Sequence, residues 1–142
     1  MPGAELTASV RDGHVVAALR GELDMTDAAD AEAAITALLA RGQYLVIDMS
    51  ALDFIDCSSL SALLRVRRLA QCAGGDVVLA APQRLVLRLL VLTGKDVAFC
   101  VHASVAAAVV SVGRHGWRYS WRRLAVSPAR PWRAAPLRTG TG

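Results

Sequence analysis

The sequence predicts an α/β domain with a mixed, mostly parallel sheet, and three observations support this fold class. Extended and helical segments alternate after an opening hairpin, in the order ββαβαβαβα. Residues 44–49 are an almost continuous apolar run, which is typical of a strand buried on both faces. Gly42, Gly74-Gly75 and Gly94 each follow a helical pattern and are suited to end it. Such strand–helix–strand units produce right-handed crossovers, with helices packed on the sheet.

The first elements are predicted from turn and capping signals. Residues 6–10 and 14–20 read as strands, and Asp12-Gly13 between them is a strong signal for a tight hairpin. A helix follows Asp24, and we expect Thr26 or Asp27 to cap it. One apolar stripe of this helix consists of Ala28, Ala31, Ile35, Leu38 and Leu39.

The remaining elements follow from periodicity and from the residues that end helices. Residues 58–73 predict a second helix, and its inward face consists of Leu63, Val66, Leu69, Ala70 and Ala73. Residues 77–81 predict a strand, and Pro82 precedes a third helix over 83–92. A last strand is expected over 97–102, followed by a helix that Ser104 caps and that extends to residue 112.

Charge divides the chain near Gly113. Residues 1–113 hold nine basic and twelve acidic residues, a net charge of −3, whereas residues 114–142 hold seven arginines and no acid. All three tryptophans also lie in the second segment. We therefore expect a folded domain over 1–113 and a basic Arg/Trp/Pro-rich tail over 114–142 that is disordered.

The cysteines and the N-terminus indicate the compartment. Cys57, Cys72 and Cys100 are odd in number and lack CxxC or Cys/His ligand spacing, so we expect neither a disulfide framework nor a metal site. No signal sequence and no membrane span are recognisable. The sequence thus predicts a cytoplasmic protein, and its bias toward arginine over lysine suggests a GC-rich bacterial genome.

The stretch over residues 44–64, YLVIDMSALDFIDCSSLSALL, resembles the signature of STAS domains. That signature is a buried strand ending in Asp, a short turn, and then Asp-Ser-Ser/Thr-Gly-Leu at a helix start. Gly21-Glu-Leu-Asp24 is similar to the family's Gly-x-Leu-Asp turn after the second strand. The resemblance covers roughly residues 5–112.

The resemblance implies an anti-sigma factor antagonist. Single-domain bacterial members of the family bind an anti-sigma factor that is also a serine kinase and so release a sigma factor, and phosphorylation of the antagonist reverses the binding. The family's phosphoserine directly follows the Asp, a position that Cys57 occupies here, and Ser59 occupies the family's Gly position. We therefore expect phosphorylation at Ser58, with Ser59 as the less favoured candidate. The expected partner-binding residues are Asp24, Asp56, Cys57, Ser58 and Ser59.

Simpler roles remain open for these residues. Ser58 and Ser59 can be helix caps alone, and Ser58 is expected at or near the N-cap. Asp24 and Asp56 should lie close together at the carboxyl edge of the sheet, but each can also serve only local turn or capping chemistry. Cys57 is expected to be a buried apolar filler rather than a redox sensor.

Two other functions are alternatives to an antagonist that phosphorylation controls. The first is a STAS interaction module that works without phosphorylation. The second is a nucleic-acid-associated protein that acts through the arginines and tryptophans of residues 114–142. We expect no enzyme in any of these cases, because the sequence contains no nucleophile motif or glycine-rich phosphate loop. No cofactor and no small-molecule substrate are expected.

Overall fold

The computed structural model describes residues 3–39 and 44–113. Five strands form a single sheet in the order β1-β2-β3-β4-β5. The first two strands pair antiparallel and the other pairs are parallel, as predicted. In chain order the elements are β1 (Ala4–Arg11), β2 (His14–Leu23), α1 (Met25–Thr36), β3 (Tyr44–Ile55), α2 (Cys57–Cys72), β4 (Asp76–Ala80), α3 (Arg84–Leu92), α4 (Lys95–Ala98), β5 (Cys100–His102) and α5 (Val105–Gly113).

The opening hairpin turns at the predicted dipeptide. Asp12 and Gly13 have φ angles of 51° and 82°, and Arg11 pairs with His14 on either side of them. Two consecutive positive φ angles match the twist of the flanking strands. The Asp-Gly signal therefore placed the turn correctly.

Side-chain alternation along the central strands separates two apolar layers. One face of the sheet packs against α1, α2 and α3, through core residues such as Leu45 and Ile47 of β3. On the other face, Val46 packs with Val109 and Val112 of α5. Burial on both faces explains why residues 44–49 are an apolar run without alternation.

Strands β1 and β2 are each three residues longer than predicted, and β3 and β5 also differ in length from their predictions. Strand β3 continues to Ile55, because residues 51–55 pair with the end of β2 beyond an irregularity in the ladder. The last strand is only Cys100–His102, not 97–102. Gly94, in the left-handed conformation at φ 73°, instead leads the chain into the short helix α4.

Some predictions about the helices are also wrong. Helix α1 ends at Thr36, so Leu38 is buried beyond its last turn, and Gly42, predicted to end the helix, lies outside the described residues. On α2, the prediction that Leu69 faces inward is wrong, since 51% of its surface is exposed. The residues that line the surface beside it include Ala33 of α1 and Ala37 just after α1, whose short side chains leave Leu69 exposed. Ser104 caps α5 as predicted, with its Oγ accepting from the Ala107 N–H at 3.0 Å.

The basic tail over 114–142 also lies outside the described residues, so its predicted disorder and its proposed nucleic-acid contact stay predictions. Among the described helices, none has the length and apolar character that crossing a membrane requires.

Candidate functional site

Strands β2 and β3 end side by side at the carboxyl edge of the sheet. Leu23 pairs with Ile55, and the Asp56 N–H donates to the Leu23 carbonyl at 3.2 Å. Helices α1 and α2 begin immediately after these strands, and they pack against each other along the same face. The parallel register therefore brings two helix N-termini together at one edge.

Asp24 is the N-cap of α1. Its backbone is extended, and its Oδ1 accepts a hydrogen bond from the Thr26 N–H at 3.0 Å. The expectation that Thr26 or Asp27 caps this helix is therefore wrong. The helix starts earlier than predicted because Asp24 follows β2 without an intervening turn, and Asp27 is buried in the first turn.

Asp56 is the N-cap of α2 and also binds the start of α1. Its Oδ1 accepts from the Ser59 N–H at 2.8 Å and from the Ser58 hydroxyl at 3.0 Å. Its Oδ2 accepts from the Met25 N–H at 2.8 Å, across 31 positions of sequence. One carboxylate thus satisfies unpaired donors of two helices and fixes their relative position.

These bonds determine the charge state of the site. Partial burial of the Asp56 carboxyl acts to raise its pKa, but the hydrogen bonds that the Ser59 and Met25 N–H groups and the Ser58 hydroxyl donate outweigh it. The pKa of Asp56 is therefore held below its ordinary value. At neutral pH the edge carries an ionised carboxylate between two helix starts.

The three residues after Asp56 differ in their exposure to solvent. Cys57 and Ser58, the first two residues of α2, are exposed, whereas Ser59 is fully buried with 0% of its surface accessible. The expectation that Cys57 is a buried filler is wrong, because the helix begins one residue earlier than predicted and turns its first residue outward. Ser58 lies near the N-cap, as expected, but the cap itself is Asp56.

Two apolar side chains at this edge were missed by sequence reasoning. Met25 is 74% exposed at the first position of α1, and Phe54 is 41% exposed near the end of β3. Both neighbour the capping carboxylates in sequence, since they adjoin Asp24 and nearly adjoin Asp56. The available signal was their position: Met25 follows Asp24 directly, Phe54 precedes Asp56 by two residues, and neither belongs to a predicted apolar stripe. Within residues 3–39 and 44–113, no group of three or more metal-ligating side chains occurs.

Fold and site together define an α/β domain with a mixed, mostly parallel sheet and two helix starts at one edge, and comparison with known proteins gives its family. The STAS domain model matches residues 5–108, and the chain belongs to this family. A search of curated proteins finds no match.

Solved structures of anti-sigma factor antagonists are similar to this chain. One from Mycobacterium paratuberculosis is 29% identical with a TM-score of 0.70, covering 78% of this chain and 94% of that one. SpoIIAA in its unphosphorylated form is 20% identical with a TM-score of 0.64, covering 77% and 96%. The phosphorylated form of SpoIIAA from Bacillus is 22% identical with a TM-score of 0.57, covering 75% and 98%. The SpoIIAA structures share the fold.

Proposed function

We propose that this chain is an anti-sigma factor antagonist that binds an anti-sigma factor with serine kinase activity, releases a sigma factor, and is switched by phosphorylation. The observation that carries the proposal is the paired helix start at the carboxyl edge, where one carboxylate joins Met25 to Ser58 and Ser59. The Mycobacterium relative, named an anti-sigma factor antagonist, supports the same role.

The docking surface in this proposal centres on Met25, Phe54 and the exposed start of α2. Exposed apolar side chains beside the ionised Asp56 carboxylate suit a protein partner, because the apolar groups contribute burial and the charge contributes orientation. Asp24 and Asp56 both use carboxylate oxygens to cap helices. We therefore propose that they contribute to binding mainly by fixing the positions of the two helix starts.

Ser58 is the proposed phosphorylation site. Its hydroxyl is exposed and lies 3.0 Å from Asp56 Oδ1, whereas the hydroxyl of Ser59 is buried. Cys57 occupies the exposed first position of the helix, but a thiol is not a substrate for an ordinary serine kinase. Among the three positions, only Ser58 combines exposure with the chemistry that a serine kinase needs.

A phosphate on Ser58 would act through charge and through the loss of one hydrogen bond. It adds about −1.5 to −2 charges beside a carboxylate that is already ionised. The phosphorylated oxygen also has no proton left to donate to Asp56. Unpaired N–H groups and the dipole of α2 favour an anion at this end, so we expect the fold to tolerate the phosphate while the partner is repelled.

The test uses the full chain with candidate serine-kinase anti-sigma factors, with and without Mg-ATP. Pull-down measures binding, and mass spectrometry of the same sample locates phosphate. We expect binding to disappear as phosphate accumulates on Ser58, and Ser58→Ala to remain bound in the presence of ATP. Ser61→Ala, on the same helix, is the matched control and should behave as the unmodified sequence does. Phosphate at Ser58 that leaves binding unchanged would contradict the proposed switch.

Cys57 favours a second candidate, a STAS interaction module that works without phosphorylation. The thiol is exposed at the position directly after Asp56, where the family's phosphoserine stands. In this case the chain binds its partner through the same edge, but Mg-ATP leaves both its mass and its binding unchanged. The same experiment therefore separates the two candidates.

A further inference from the structure

The edge strand β5 brings a thiol and an imidazole together. Cys100 and His102 are two positions apart, so both side chains project from the same face of the strand. Cys100 Sγ lies 3.7 Å from His102 Nε2. Within the described part of the chain β5 is the last strand of the sheet and pairs with β4 alone, so its outer side is open.

We propose that Cys100 and His102 form a two-ligand chelate for a thiophilic divalent cation, with Zn²⁺ as the representative ion. A Zn–S bond of about 2.3 Å and a Zn–N bond of about 2.05 Å at a tetrahedral angle place sulfur and nitrogen about 3.6 Å apart. The observed separation of 3.7 Å is close to this value. The separation of the two atoms therefore suits a cation that both of them bind.

The chemistry of binding is an exchange of a proton for the metal ion. Zn²⁺ takes the thiolate of Cys100, and the thiol proton leaves to solvent, while the neutral imidazole of His102 supplies the lone pair of Nε2. No oxidant or reductant is needed. Two protein ligands leave two positions of a tetrahedral shell for water or for donors from another molecule that approaches the open edge.

The other cysteines provide an internal comparison. Cys57, Cys72 and Cys100 are all free and exposed. Of these three cysteines, Cys100 is the one whose sulfur contacts an imidazole. No metal site was expected, because the three cysteines are scattered and odd in number and lack CxxC or the usual Cys/His ligand spacing. On a strand, the Cys-x-His spacing is the one that places two ligands side by side.

The test is alkylation of the full chain by iodoacetamide, with and without Zn²⁺, followed by quantification of each cysteine by peptide mass spectrometry. We expect Zn²⁺ to slow modification of Cys100 on the order of tenfold, because a metal-bound thiolate is a poorer nucleophile, while Cys57 and Cys72 react at unchanged rates. His102→Gln should remove the protection at the same Zn²⁺ concentration. Equal protection of all three cysteines, or full protection in His102→Gln, would overturn the proposal.

A second measurement does not depend on reactivity. Co²⁺ bound by a thiolate shows a sulfur-to-cobalt charge-transfer band, which we expect in the unmodified chain and in Cys57→Ser and Cys72→Ser. Cys100→Ser should lose it. A band that persists in Cys100→Ser, or is missing from the unmodified chain, would refute the chelate. Neither readout involves an anti-sigma factor, so the result is independent of the proposed function.

Discussion

Replacing Asp56 by alanine tests whether one carboxylate joins the two helix starts. The change removes the cap of α2, worth about 1 kcal/mol, and the bond from the Met25 N–H, worth about another 1 kcal/mol. The exposed Ser58 hydroxyl can turn to water instead. We therefore expect Asp56→Ala to lower the free energy of unfolding by about 2 kcal/mol.

Two further variants separate these contributions. Asp24→Ala removes the carboxylate bond to Thr26 N–H, which lies within one helix, and should cost about 1 kcal/mol. Asp56→Asn keeps an oxygen that can cap α2 but places an amide N–H₂ opposite the Met25 N–H, so it should also cost about 1 kcal/mol. Urea unfolding followed by circular dichroism measures all three, with unchanged m-values. If Asp56→Ala and Asp24→Ala differ by less than about 0.5 kcal/mol, the link between the helices contributes nothing and the reasoning is refuted.

Three other predictions concern stability. The pKa of Asp56 is lower in the folded than in the unfolded chain. Its contribution to the free energy of unfolding is therefore present above the ordinary pKa of 3.8 and is lost as the pH falls through the folded pKa. When stability is measured as a function of acid pH, Asp56→Asn should lack this pH-dependent contribution. Gly21→Ala should cost about 2 kcal/mol or more in urea unfolding, because Gly21 has a φ of 90° and a Cβ there would overlap the carbonyl oxygen of Gly3; a smaller loss would show that the strand ends adjust. Arg67→Ala breaks a partly buried ion pair and should cost about 1 kcal/mol, whereas Arg65→Ala, in an exposed pair, should change little; equal losses would contradict this ranking.

The sheet was predictable because its signals are local. Asp12-Gly13 sets the hairpin turn, and the run over 44–49 can be satisfied only by burial on both faces. The region after Gly94 was not predictable, since its apolar residues fit a strand or a short helix equally well. Buried Phe99 follows α4 directly and begins the extended chain that becomes β5.

Asp24 and Asp56 lie at the same sheet edge, as predicted, but their capping pattern was not predicted. Asp24, Thr26 and Asp27 are all good caps, so sequence alone cannot decide where α1 begins. The choice follows from the end of β2, which leaves Asp24 in an extended conformation. The bond from Met25 to Asp56 depends on the sheet register and has no local sequence signal.

The link between the helices determines which variants can identify a binding contact. Loss of binding in Asp56→Ala would not distinguish a lost contact from a displaced helix start, because the carboxylate also positions Met25. Met25→Ala avoids this ambiguity, since it keeps the backbone N–H that Asp56 accepts and removes only a side chain that is 74% exposed. We expect it to weaken binding of the anti-sigma factor about tenfold, with stability changed by less than about 0.5 kcal/mol. Leu92→Ala truncates a 79% exposed side chain at the end of α3 and serves as the control, with no change in affinity expected. If the two variants bind equally well, Met25 lies outside the docking surface, and the partner must use the start of α2 without it.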